Sequence, residues 1–98
     1  MTHSAAFYFA NLGADVARGA SAIRRGDEAR YGDALSNAYR TLEKLRATLR
    51  YEAYEEGLLM IRGLALARAT PDTLAHFQAS LDAIIGSFLA RLQHSAVR

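Results

Sequence analysis

The hydrophobic positions recur at helical spacing along nearly the whole chain, and no segment alternates as a half-buried strand would. Over residues 27–49 the apolar series Tyr31, Leu35, Ala38, Leu42, Leu45 and Leu49 advances in steps of 4, 3, 4, 3 and 4, a heptad seam. The next stripe, Tyr54, Leu58, Ile61 and Ala65, is out of phase with it, because continuing the seam would put Glu52 and Glu56 on the buried line. The jump from Leu49 to Tyr54 rotates the stripe by roughly 140° on a 3.6-residue helix. This predicts a turn near Arg50; the alternative is one kinked helix of about 43 residues, too long to bury its stripes in a compact monomer.

Two punctuation points complete the division. Arg24-Arg25-Gly26-Asp27 places basic residues in a last turn, a glycine beyond it and an aspartate as the next N-cap. Thr70-Pro71-Asp72 combines an N-cap threonine, a proline at the first helical position and an early acid. The predicted fold is therefore all-α: one domain over 1–98, an up-and-down antiparallel four-helix bundle with helices at about 4–25, 27–49, 52–69 and 71–93.

The four helices differ in how their apolar residues are distributed. The first carries a large seam (Phe9, Leu12, Val16, Gly19, Ile23) beside a small one (Ala6, Ala10, Gly13, Ala17, Ala20), which suits it to touch two neighbours at once. The last shows one stripe of Leu74, Phe77, Leu81, Ile84, Phe88 and Leu92. Helix three is apolar almost all round, since Gly57 to Ala67 includes a single charge, Arg62. A helix in a four-helix bundle keeps one face in water, so the surplus predicts either a central position or contact with another molecule. Leu59, Met60 and Leu66 are the residues expected to present it, with the off-stripe Tyr39 and Tyr51 as further interface candidates.

Composition refines this picture mainly by exclusion. The 98 residues are 51% hydrophobic, but alanine supplies much of that figure, so burial energy rests on Leu, Ile, Phe and Tyr. A chain of this size buries roughly 60–65% of its unfolded surface, enough for one core. With no cysteine there is no disulfide, thiolate nucleophile or Cys-ligated metal. Twelve basic residues stand against ten acidic ones and alternate with them, so no basic block predicts a nucleic-acid or membrane partner. No stretch of 18 apolar residues occurs, and Met1-Thr2-His3-Ser4 lacks the basic start of a signal peptide; the expected location is cytoplasmic.

Candidate chemistry is sparse. Glu-x-x-His pairs are absent, and Glu52, Glu55 and Glu56 read as a solvated helix start rather than a metal site. His3, His76 and His94 have no histidine partner one turn away, and no serine sits in a Gly-x-Ser-x-Gly turn. Arg18, Arg24, Arg25 and Arg30 are balanced by Asp15, Asp27, Glu28 and Asp33. No catalytic, metal or cofactor site is predicted.

The run Ala22-Ile23-Arg24-Arg25-Gly26-Asp27-Glu28-Ala29-Arg30, followed by Leu35, Ala38, Tyr39 and Leu42-Glu43-Lys44-Leu45-Arg46, resembles the first hairpin of the flagellar secretion chaperone family FliS. Helix three, passing through Ala67-Arg68-Ala69-Thr70-Pro71-Asp72 to Leu74 and Leu81, is similar to that family's second hairpin. The resemblance implies a helical bundle that binds an extended, largely helical tail of flagellin and prevents its premature assembly. The expected function is non-enzymatic protein binding, as an adaptor or secretion-type chaperone that recognises a partner helix. The alternatives are a homodimeric structural bundle without a separate client and, third, a ligand-binding bundle or enzyme.

Overall fold

The computed structural model describes residues 3–97, with side chains to residue 93. Four helices run α1 (Ala5–Arg25), α2 (Glu28–Ala47), α3 (Tyr51–Ala69) and α4 (Leu74–Val97), the last preceded by a 3-10 turn over Pro71–Thr73. Their up-down-up-down order follows from the cross-helix contacts. Phe9 at the start of α1 meets Phe88 near the end of α4, and Arg68 at the end of α3 pairs with Glu28 at the start of α2.

Each junction has a local cause. Ser4 accepts a hydrogen bond from the Phe7 N–H and caps α1. Gly26 ends that helix in the left-handed region at φ 69°, with its N–H donating to Ile23 and the Asp27 N–H donating to Ala22. Asp27 then caps α2 by accepting from Arg30 N–H at 3.1 Å. At the third junction Thr70 makes no side-chain cap, contrary to the expectation from sequence. Instead Thr73 Oγ1 donates to the Thr70 carbonyl at 2.7 Å and tightens the turn around Pro71.

The break near Arg50 is real, and it falls earlier than the heptad pattern suggests. Helix α2 stops at Ala47, the Thr48 hydroxyl donates to the Leu45 carbonyl, and Leu49 turns the chain at φ 63°. Leu49 is therefore no seam residue; it is 67% exposed in a conformation that favours glycine. Replacing it relieves that strain: Leu49→Gly should raise stability by about 0.5–1 kcal/mol, read as a higher denaturation midpoint in urea. A loss of stability would mean the leucine side chain contributes packing that its exposure does not indicate.

Helix α1 packs against all three others, and α3 does likewise, whereas α2 and α4 do not meet among the described residues. The cross-section is thus a flattened rhombus with α1 and α3 across its short diagonal, in keeping with Cα extents of 43 × 24 × 16 Å. Small residues permit the close approach. Gly19 lies under Leu64 of α3, Gly57 of α3 lies under Leu12, and Gly13 faces Ile85 of α4. The two-seam reading of α1 holds in this form, with Ala17 the exception because it is exposed.

Two stripes are shifted from their expected phase. The buried line of α3 is Ala53, Gly57, Met60, Leu64 and Ala67, flanked by buried Ile61, while Tyr54 and Leu58 are half-buried and Ala65 is exposed. In α4 the core position belongs to Ile85, against Gly13, and Ile84 points outward. Tyr31, expected in the core, is buried beneath the Arg68 guanidinium, which lies 4.6 Å from its ring centroid. Asp15 is the one charged group buried among the described residues, paired with Arg18 and accepting from Thr41 Oγ1 at 3.3 Å.

Candidate functional site

The outward face of α3 is where the apolar surplus emerges. Leu59 is 57% exposed and Leu66 64%, and they stand seven residues apart, two turns along one line of the helix. Glu52 begins the same line another seven residues earlier, and its carboxylate lies 3.9 Å from Arg91 of α4. The Leu59–Leu66 line therefore runs along the side of α3 that adjoins α4. A shallow groove between these helices is lined by Glu56 of α3 and by Ile84, Phe88 and Arg91 of α4, with Ile84 37% exposed.

Met60, placed with the two leucines by the sequence reading, is not on this face. It is 2% exposed and belongs to the core line of α3, because the helix turns its side chain 100° from that of Leu59 and into the core. Ile84, by contrast, is expected on the apolar stripe of α4 from its spacing, yet it is exposed at the surface. Nothing in hydropathy separates Ile84 from Ile85; the distinction is made by Gly13, whose missing side chain leaves room for Ile85 alone.

Tyr39 and Tyr51 are exposed, at 50% and 64%, but they mark a different surface. Tyr39, Glu43 and Arg46 follow one another by four and three residues on α2. Glu43 and Arg46 form an ion pair at 3.1 Å and border a hollow closed by Leu49 and Tyr51. The structure thus gathers Tyr39, Leu49 and Tyr51 on the α2–α3 side and leaves Leu59 and Leu66 on the α3–α4 side.

No protein-family model, curated protein or solved structure matches this chain. Among the described residues no three His, Cys, Asp or Glu side chains gather as a metal site. Glu52 and Glu55 are exposed and Glu56 half-buried in the first turns of α3, where acids favour the positive end of the helix dipole. His76 is exposed and His3 stacks on Phe7 with ring centroids 3.9 Å apart; His94 lies outside the described side chains. No described helix is long and apolar enough to cross a membrane. What α3 offers on this side is two exposed leucines on one line with carboxylates at one end, and α4 adds an exposed isoleucine in the groove that Glu56 borders.

Proposed function

We propose that this small helical domain is a non-enzymatic protein-binding module, an adaptor or secretion-type chaperone, that captures an amphipathic partner helix along the Leu59–Leu66 line of α3. The observation that carries this reading is the exposure of both leucines on a helix whose opposite face already fills the core. Two apolar anchors seven residues apart match the repeat of a partner helix laid alongside. The resemblance of the α1–α2 hairpin to the FliS chaperones supports the class of client, an extended and largely helical segment. Glu52, Glu55 and Glu56 at one end of the line favour a client whose flanking residues are basic.

Fully burying a leucine contributes roughly 1.5–3 kcal/mol, and each of these is already partly covered, so the pair supplies about 2–4 kcal/mol. The Leu59→Glu/Leu66→Glu double variant should therefore remain folded and lose client affinity by about 30-fold or more, measured by affinity capture from the native cell and then by titration of the captured client. Unchanged capture by a folded double variant would overturn the reading. Light scattering across a concentration series gives the other decisive outcome. A dimer that the double variant dissolves would make a second copy of this chain the occupant, as in a homodimeric bundle with no separate client.

A further inference from the structure

The basic residues are dispersed in sequence, but the fold gathers four of them, Arg18, Arg40, Lys44 and Arg50, along the opposite side of the molecule, at the seam between α1 and α2. Asn37, Arg40 and Lys44 follow one another by three and four residues on α2, and Asn11, Asp15 and Arg18 do so on α1, so the two lines face each other across one groove. This polar groove, about 280 Å³, shares Lys44 with a larger one of about 570 Å³ that continues past Tyr8 and Thr48 to Arg50 and His3. Asp15 is the sole acid lining either groove among the described residues, and its charge is answered by Arg18 and Thr41. Arg40, Lys44 and Arg50 make no ion pair among the described residues. The larger groove also borders the start of α1, whose first turn holds no acid, so the positive end of its dipole adds to theirs.

We infer that this seam is a second docking site, and that its occupant is an acidic helical segment of a partner protein. The charge pattern calls for carboxylates, and the three free cations are divided between two adjoining grooves, Arg40 and Lys44 one turn apart on α2 and Arg50 at the start of α3, rather than gathered in one pocket for a single anion. From Arg18 back to Ala5 along α1 the seam is about 20 Å long, the length of between three and four helical turns. Glutamates recurring every third or fourth residue of a helix laid in the seam meet Arg40, Lys44 and Arg50 in turn. The side-chain amides of Asn11 and Asn37, which donate and accept, bond the polar groups between them. The chain's net charge of +2 and so few free cations suit a peptide rather than a nucleic-acid backbone. This site is independent of the leucine face, since it lies on different helix faces and rests on charge.

The test uses fluorescence anisotropy of a labelled helical peptide with glutamate at every third or fourth position, its glutamine counterpart, and a single-stranded oligonucleotide of similar length. The full chain should bind the glutamate peptide saturably, more weakly as salt rises, and bind the glutamine peptide at least tenfold less well. Arg40→Glu/Lys44→Glu exchanges two exposed side chains and should keep the helical circular dichroism while losing at least tenfold in affinity. Arg25→Glu, at the far end of α1, should bind as the wild type does. Absence of saturable binding, equal binding of the glutamine peptide, an unchanged affinity in the folded double variant, or tighter binding of the oligonucleotide would each overturn the assignment.

Discussion

Phe9→Ala should lower the stability of the bundle by about 3–5 kcal/mol, the usual cost of deleting a fully buried phenyl ring. Phe9 has no exposed surface, and its ring lies 4.9 Å from that of Phe88 at a 31° tilt. Phe88 is in turn covered by the Arg91 guanidinium at 5.0 Å, so the contact joins the first half of α1 to the last half of α4 and is closed from outside. Among the described residues α4 touches α1 and α3 but not α2, which leaves few other groups able to move into the space. Because small domains hold only about 5–15 kcal/mol in total, this single change removes a large share of it. The melting temperature should fall by roughly 4–8 °C for each kcal/mol, and the urea midpoint should drop with an unchanged slope. The neighbouring Phe7, 42% exposed, serves as the comparison, and Phe7→Ala should cost about 1 kcal/mol or less. A loss below about 1 kcal/mol at Phe9 would mean that α4 is not held on α1 by this pair.

Phe9 was legible in the sequence because α1 carries large apolar residues at regular spacing, and its phase cannot be mistaken. The same holds for Leu42 and Leu45 in α2, and the caps at Gly26 and Asp27 were equally plain because their chemistry is local. Helix α3 misled for a physical reason. Its buried line includes Ala53, Gly57 and Ala67, which weigh little in any hydropathy pattern, while Leu59 and Leu66 stand in solvent. Close packing, rather than hydrophobicity, selects small residues there, so the stripe drawn through the large side chains fell one position away.

The candidate surfaces divide along the same line. Leu59 and Leu66 could be read as surplus because one helix face cannot bury every apolar residue of α3. Met60 could not be told from them, since its burial depends on which neighbour sits beside it. The basic seam was not visible at all. Arg18, Arg40, Lys44 and Arg50 are separated by up to 32 residues and interleaved with acids in sequence, and only the antiparallel pairing of α1 and α2 sets them along two adjoining grooves.

Gly57 is where the fold tolerates least, and Gly57→Leu should destabilise it by about 3 kcal/mol or more. A Cβ added at Gly57 would collide with Leu12 Cδ2 and lie 3.2 Å from Leu42 Cδ1 and 3.4 Å from Leu45 Cδ2. These are branch tips, but they cannot swing clear: Leu12 and Leu45 have no exposed surface and Leu42 has 3%. Three helices converge on the position, so any accommodation must separate α3 from α1 or from α2. Overpacking a close-packed core costs about 1–3 kcal/mol for small insertions, and a leucine adds four carbons where the first already clashes. A graded series separates crowding from backbone effects. Gly57→Ala gains the roughly 0.5–1 kcal/mol that alanine contributes to any helix interior, and so does Gly32→Ala, where nothing lies within 4 Å of the new methyl group. The difference between these two variants isolates the crowding, and we expect Gly32→Ala to exceed Gly57→Ala in stability by about 1–3 kcal/mol. If the two alanine variants proved equally stable, α1 and α3 could not lie as close as their glycines place them, and the short diagonal of the bundle would be wrong.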